Sequence, residues 1–262
     1  MSALSWIVLF CLLVGLLSVL AAGLFLLLPQ PLRARLLPHL ISFATGALLG
    51  AAFLALLPHA LETVPGGDTH RVTLVVLLGL LGFFIMEKMV LWRHCHHADC
   101  EAHHAREANE LHSGVAGPLI VVGDAVHNLI HGVLIAAAFL VDIHLGIVTS
   151  LAVMAHQIPQ ELSNFAVLLH GGLSRTRALL LNTLSSLTAP LGGVIGYFGL
   201  NGVEWLMPYM LAIAVSSCIY IAVADLIPGL HKRTEMSASI QQVLLIGSGV
   251  AIIYLTHLLL HE

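Results

Sequence analysis

Two stretches of this sequence decide its fold: GPLIVVGDAVHNLIHGVLIAAAFL at 117–140 and SLAVMAHQIPQELSNFAVLLHGG at 150–172. Each stretch is long and apolar, and each carries imidazole, amide and carboxylate side chains near its middle. A bilayer core of about 30 Å is crossed by about 20 apolar residues in a helix, and an ionisable residue inside it costs roughly 2.5–3.5 kcal/mol. Polar groups placed at that cost predict a functional site within the membrane.

The rest of the chain has the composition of a membrane protein. Of 262 residues, 58% are hydrophobic and 9% are charged, whereas a globular chain carries about 25% charged residues. The apolar runs are continuous rather than alternating, which predicts an all-α integral membrane protein rather than a β-barrel. The hydrophobic composition makes the lipid bilayer an expected partner. The net charge of −4 offers no basic surface, so no nucleic acid is expected as a partner.

Eight helices are predicted to cross the membrane. They run over 4–28, 36–58, 72–92, 114–141, 144–170, 176–200, 204–228 and 240–260. Segments with turn chemistry separate them at 29–35, 65–68, 171–172 and 231–235, and one long polar segment lies at 93–113. The first apolar run is too long for a signal peptide, so we expect it to remain as a helix.

The distribution of Lys and Arg predicts the orientation of these spans. If all eight spans cross, nine of the ten basic residues fall on one side of the membrane, and Arg71 alone falls on the other. Basic residues accumulate on the cytoplasmic side of membrane proteins. The N- and C-termini are therefore predicted to lie outside, and the 93–113 segment is predicted to be a cytoplasmic loop.

Polar residues in spans four and five recur at helical spacing and so share faces. Span four carries Asp124, His127 with Asn128, and His131; span five carries His156, Gln160 and Asn164, with Gln157 and Glu161 on the adjoining stripe. A short connection at 141–144 makes the two spans antiparallel neighbours, so we expect the stripes to meet near the bilayer midplane. Pro159 frees a backbone carbonyl within span five, which membrane helices tolerate where they line a cavity.

These side chains suit a divalent metal ion. Neutral imidazole binds Zn²⁺ and the later first-row ions, and the four-residue spacing of His127 and His131 lets one helix supply two ligands. His156 adds a third ligand, and the amide oxygen of Gln160 could add a fourth. The alternative is that the polar residues only join helices by hydrogen bonds, which contribute about 0.6 kcal/mol each.

The polar segment at 93–113 is rich in histidine and cysteine. Its candidate metal ligands are His94, Cys95, His96, His97, Cys100, His103 and His104. Their irregular spacing matches no zinc finger, and such tracts bind metal with low specificity. The loop is expected either to accept or sense metal ions, or to serve as a soluble linker.

Spans four and five also resemble the ZIP (Zrt-, Irt-like protein) family of divalent metal transporters, especially its branch with a His-rich cytoplasmic loop. The strings GDAVHNLIHGVLIAAAF and AHQIPQELSNFAVLLHGGLS carry the resemblance, with support from GALLGAAFLALLPHALE, GFFIMEKMVLW, LLLNTLSSLTA and YIAVADLIPGLH. The resemblance implies one transmembrane transporter domain over 1–262. Its eight helices would form a 3+2+3 bundle in which spans one to three are related to six to eight by pseudo-symmetry. A homodimer, and import of metal into the cytosol through spans four and five, are also implied.

The resemblance extends to individual site residues. The candidate metal ligands on the matching motifs are His127, Asn128, His131, His156, Gln157, Gln160 and Glu161, with Pro159 beside them. Independently of the resemblance, Asp124 and Asn164 are expected around the site, and Asp225 is expected either to line the ion pathway or to reach the membrane interface. The chain departs from the family pattern at three of these positions. His131 and Gln157 stand where acids are usual, and Gln160 stands where a histidine is usual.

These departures predict a site for one ion rather than a carboxylate-bridged pair. Loss of anionic ligands favours later, softer metals, so zinc is expected foremost, ahead of cobalt, nickel, cadmium, iron and manganese. No catalytic cofactor is expected, and the protein is not expected to be an enzyme.

Two other functions stay open. The first is a ZIP-like metal sensor that has lost transport. The second is a membrane metalloenzyme with histidine boxes, which is disfavoured because His127 and His156 fall at mid-depth. The compact chain without a targeting extension suggests a bacterial cytoplasmic membrane.

Overall fold

The computed structural model describes residues 2–92, 116–170, 172–231 and 235–261, and all regular structure within these ranges is helical. The longer α-helices are α1 (Ala3–Leu27), α2 (Gln30–Gly50), α4 (Thr69–Trp92), α5 (Ala116–Val141), α6 (Ile143–His170), α7 (Arg175–Ser186), α8 (Thr188–Leu200), α9 (Met207–Tyr220) and α11 (Met236–His261). Two short helices, α3 (Leu57–Thr63) and α10 (Ile227–Leu230), continue α2 and α9.

Each predicted span coincides with one helix or with consecutive helices. Seven of the resulting segments are long and apolar enough to cross a bilayer, which confirms an integral membrane protein. The exception is α6, which has 28 residues and therefore a length of about 42 Å. Because α6 carries the polar residues of span five, its mean hydropathy is low, and its crossing of the membrane stays a prediction.

The ends of the helices follow from local sequence, with one correction. The predicted interruption at 29–35 is wrong, because Pro29 is the N-cap of α2 and the helix begins at Gln30. Proline is tolerated in the first turn of a helix, where its missing N–H has no partner to lose. The turn at 65–68 is confirmed, and Gly66 and Gly67 adopt positive φ angles of 73° and 69° there.

Two π-helical segments interrupt the apolar helices at matching places. They are Ala51–Leu56 after α2 and Ile221–Leu226 after α9, and they lie 170 residues apart. Each is followed two residues later by a proline, Pro58 or Pro228, which cannot donate to the carbonyl four residues before it. The two segments lie in spans two and seven, which the predicted relation between spans one to three and six to eight would pair.

Small residues bring the helices around α5 close together. Gly192 of α8 lies against the backbone carbonyl of Leu129, so that even a methyl group would not fit. Gly132 of α5 meets the Ala189 carbonyl in the same way. Close approach through small residues is the usual mode of helix packing in membranes. Through these contacts α5 packs against α8, and it also contacts α6 and α7.

A single residue, Asp142, connects α5 to α6. Its Oδ1 accepts hydrogen bonds from the backbone amides of His144 at 2.8 Å and Leu145 at 3.0 Å. These bonds satisfy N–H groups that the first turn of α6 leaves without helical partners. The tight connection makes α5 and α6 antiparallel neighbours, as predicted.

Candidate metal site

Three histidines from α5 and α6 meet between the two helices. His127 and His131 lie one turn apart on α5, and His156 lies opposite on α6. One ring nitrogen from each histidine lies within 4.8 Å of the other two. His131 and His156 are 2% and 1% exposed, whereas His127 is partly buried. In the part of the chain that the structure describes, this is the one group of three or more His, Cys, Asp or Glu residues with metal-ligand spacing.

The hydrogen bond that His156 makes leaves the lone pair of its other ring nitrogen for an ion. His156 Nδ1 lies 3.3 Å from the Ala152 carbonyl oxygen. Because a carbonyl can only accept, the proton sits on Nδ1 and His156 Nε2 carries a lone pair. That Nε2 atom is buried and has no hydrogen-bond partner. A backbone carbonyl behind a histidine ring is a common way to orient a metal ligand.

The spacing of the nitrogens fits one zinc ion after small ring movements. Zn–N bonds of about 2.0–2.1 Å in a tetrahedron separate ligand nitrogens by about 3.3 Å. The Nε2 atoms of His127 and His131 share a hydrogen bond at 2.9 Å, slightly less than this distance, and an ion bound to both would displace the shared proton. The group as a whole lies within 4.8 Å. Three imidazoles with a fourth position left open is an arrangement that zinc adopts in proteins.

A buried carboxylate lies one helical turn from His127. Asp124 is 5% exposed, and its two oxygens accept four hydrogen bonds from three helices. The donors are Asn128 Nδ2 at 3.1 Å, Ser185 Oγ at 2.5 Å, Asn164 Nδ2 at 2.8 Å and Gln160 Nε2 at 3.4 Å. Asp124 is thus saturated by donors and joins α5, α6 and α7 rather than belonging to the histidine group.

A second buried carboxylate, Glu161, belongs to a neighbouring network. Glu161 Oε1 accepts from Ser186 Oγ at 3.2 Å and from Gln157 Nε2 at 3.3 Å. Gln157 Nε2 also donates to Asn128 Oδ1 and so links the two networks. The other ends of both α6 side chains, Gln157 Oε1 and Glu161 Oε2, are buried without partners.

Sequence reasoning missed the contribution of α7. Ser185 and Ser186 donate to the two carboxylates, and the side-chain amide of Asn182 donates to the Glu161 backbone carbonyl at 3.4 Å. These residues lie where span six is broken between α7 and α8 at Leu187. Three small polar residues within five positions of an apolar span were the available signal.

The remaining predicted residues lie in several places. Pro159 lies inside α6, which continues through it. Asp225 lies on the second π segment with an exposed side chain. The predicted loop ligands between 94 and 104 lie outside the described residues. Asn128, Gln157, Gln160 and Asn164 belong to the hydrogen-bond networks beside the histidine group.

A membrane protein that brings three histidines together between helices, in the part of the chain that the structure describes, belongs to the class of membrane proteins that handle metal ions. The family model of the ZIP zinc transporters matches residues 3–111 and 92–257, which together span most of the chain. The chain therefore belongs to the ZIP zinc transporter family, which makes it a divalent metal transporter and not an enzyme.

Individual relatives agree with this assignment. Zinc transporter ZIP13 of Pongo abelii is 33% identical over 277 residues, covering 96% of this chain and 78% of the relative. Zinc transporter ZIP13 of Mus musculus is 32% identical over 300 residues, covering 97% and 81%. Zinc transporter ZIP4 of Mus musculus is 44% identical over 115 residues, which cover 43% of this chain and 17% of that protein.

Proposed function

We propose that this protein imports a single divalent ion, zinc foremost, into the cytosol through the site formed by His127, His131 and His156. The observation that carries the proposal is the convergence of three ring nitrogens within 4.8 Å of one another on the central helix pair, two of them on buried histidines and one on the partly buried His127. The unpartnered Nε2 of His156 supports it, because a buried lone pair without a partner costs about 1–3 kcal/mol unless something binds it.

The ligand chemistry supports a later, borderline metal. The three members of the group are all histidines, and the nearby carboxylate Asp124 is engaged by four hydrogen-bond donors. Imidazole suits zinc, cobalt, nickel and cadmium, whereas manganese prefers carboxylate and carbonyl oxygen. The expected order of uptake therefore places zinc above manganese.

The transport topology is part of the same proposal. Residues 1–262 form one transporter domain with eight crossings in a 3+2+3 arrangement. Both termini lie outside, and the 93–113 loop lies in the cytosol, where it receives ions from the site. Two chains form the homodimer. The three relatives named above come from animals and do not favour a bacterial membrane over another.

Uptake into proteoliposomes tests the proposal. Zinc, manganese, iron, cobalt, nickel and cadmium are offered separately to the native protein, to His127→Ala, to His156→Ala and to a variant that lacks residues 94–112. His39→Ala is the matched control, because His39 lies on α2 with its Nδ1 bonded to the Arg35 carbonyl. The proposal predicts saturable zinc uptake that either site variant abolishes, while the control and the loop deletion retain it.

Three results would reject the proposal. Saturable uptake that survives both site variants would place the transport site elsewhere in the chain. Zinc binding to the histidines without uptake of any ion would favour the metal sensor. Creation of transport only after His131→Glu and Gln157→Glu would lead to the same conclusion.

A further inference from the structure

The four hydrogen bonds to Asp124 impose a direction on the amides around the metal site. A carboxylate accepts hydrogen bonds and does not donate them. Asn128, Gln160 and Asn164 must therefore turn their NH₂ groups, and not their carbonyl oxygens, toward Asp124, as the structure shows. Their orientation is set by chemistry rather than by a choice between two similar rotamers.

This direction is passed on from Asn128 to Gln157. With its NH₂ group held by Asp124, Asn128 can only present its Oδ1 atom to α6, where it accepts from Gln157 Nε2. The same Nε2 group donates to Glu161 Oε1 at 3.3 Å. Both bonds fix the NH₂ end of Gln157, which is 1% exposed, and leave its Oε1 atom buried without a partner.

The side chains that carry the remaining lone pairs occupy neighbouring positions of α6. His156 and Gln157 are consecutive residues, and Glu161 follows one turn later on the face of Gln157. The unpartnered buried atoms of these side chains are a ring nitrogen, an amide oxygen and a carboxylate oxygen. All three atoms are hydrogen-bond acceptors, because the donor groups of His156 and Gln157 are used in other hydrogen bonds.

We propose that Asp124 is a positioning residue for transport: acting through Asn128, it presents the oxygen of Gln157 rather than its NH₂ group beside the histidine site. The inference rests on the proposed function, because it assumes that the ion passes the three histidines. Asp124 does not touch the ion. Asp124 determines whether the ion meets the partially negative oxygen or the partially positive NH₂ group of Gln157 beside the histidines.

The inference deepens the account of selectivity. A neutral amide stands at position 157 of this chain. An amide oxygen can still help to bind a cation, whereas an amide NH₂ group in the same place repels it. Asp124 thus acts at a distance, through Asn128, on the group that Gln157 presents.

Asp124→Asn tests this chain of hydrogen bonds at nearly constant volume. The new amide keeps one oxygen for Asn164 and Gln160 but turns an NH₂ group toward Asn128. Asn128 must then rotate to accept, its NH₂ group faces Gln157, and Gln157 rotates in turn. The NH₂ group of Gln157 replaces its oxygen beside the site.

The expected result is a change in apparent affinity with little change in maximal rate. Loss of partners that orient metal ligands typically costs 10–100-fold, so the KM for zinc uptake should rise by about 10–100-fold while the maximal rate stays within about threefold. The KM for cadmium should rise less, because a soft ion depends less on an oxygen ligand. A purely structural defect would lower the rates for both ions together.

The exchange variant Asp124→Asn/Asn128→Asp provides the matched control. It keeps composition, charge and volume, and moves the carboxylate one turn along α5. The carboxylate at position 128 accepts from the amide at position 124 and from Gln157 Nε2, so the oxygen of Gln157 is again presented. Zinc KM should return to within about threefold of the native value.

Each outcome decides the matter. A native zinc KM in Asp124→Asn, or a KM in the exchange variant as high as in Asp124→Asn, would overturn the inference. If Asp124→Asn is not recovered in folded form, the exchange variant alone decides by its KM. Failure of the native protein to transport zinc would refute the proposed function instead, and the two failures are therefore distinct.

Discussion

Replacement of His156 by alanine should separate metal affinity from stability. The ring is 1% exposed, but its polar bonds are few: Nε2 has no partner, and Nδ1 lies at 3.3 Å from the Ala152 carbonyl. Removing the ring leaves a cavity of roughly 60 Å³, which at about 24 cal/mol per Å³ costs about 1.5 kcal/mol. The loss of an unsatisfied acceptor partly offsets this cost. Unfolding stability should therefore fall by only about 1 kcal/mol.

The effect on zinc binding should be much larger. Zinc sites with four protein ligands bind with about 10–16 kcal/mol, or about 2.5–4 kcal/mol per ligand. Loss of one of the three imidazoles should weaken zinc binding by about 100- to 1000-fold. A water molecule can occupy the open fourth position, but it does not replace the binding energy of the lost imidazole.

Two measurements on the same purified variant test this separation. Zinc affinity is measured by competition with a chelator in the variant without residues 94–112, so that the loop histidines do not contribute. Thermal unfolding in detergent without metal gives stability, and His39→Ala serves as the control in both assays. A zinc affinity within about threefold of the unsubstituted protein would refute the assignment of His156 as a ligand. A large loss of stability without metal would show instead that the ring supports the fold.

Three further predictions concern packing, capping and selectivity. Gly192→Ala places a methyl group against the backbone of Leu129 and should cost about 1–3 kcal/mol of stability. Gly199→Ala on the same helix meets nothing within 4 Å and should be tolerated. Equal unfolding temperatures for the two variants would contradict the close approach of α5 and α8. Asp142→Ala removes the N-cap of α6, which should cost about 1 kcal/mol of stability and lower the unfolding temperature by about 2–4 °C. An unchanged unfolding temperature would show that the cap contributes nothing to stability. His131→Glu adds an anionic oxygen ligand and should raise the ratio of manganese to zinc uptake by about an order of magnitude; an unchanged ratio would contradict the role of ligand softness.

Most of the fold followed from the sequence because a lipid solvent leaves few choices. A run of about 20 apolar residues must be helical to satisfy its backbone, so the spans could be placed to within a few residues. The meeting of α5 and α6 followed from the single-residue connection at Asp142. The periodicity of the polar residues then placed His127, His131 and His156 on facing surfaces.

What the sequence did not reveal depends on backbone details and on a third helix. The π segments at 51–56 and 221–226 arise from an extra residue per turn, which hydrophobic periodicity does not register over six positions. The role of Ser185 and Ser186 was missed because serine in an apolar span often bonds only to its own helix. Ser186 also does so here, donating to the Asn182 carbonyl at 2.7 Å. Their contacts with Asp124 and Glu161 depend on how α7 packs, which spacing alone does not give.

Zinc K-edge absorption spectroscopy of the purified variant lacking residues 94–112, loaded with one equivalent of zinc, tests the central claim most directly. A single ion on His127, His131 and His156 predicts three imidazole nitrogens at about 2.0–2.1 Å, one further oxygen, and no neighbouring metal. The imidazole signal should weaken in His156→Ala. A shell dominated by carboxylate oxygens, or a second metal at about 3.5–4 Å, would contradict the three-histidine site.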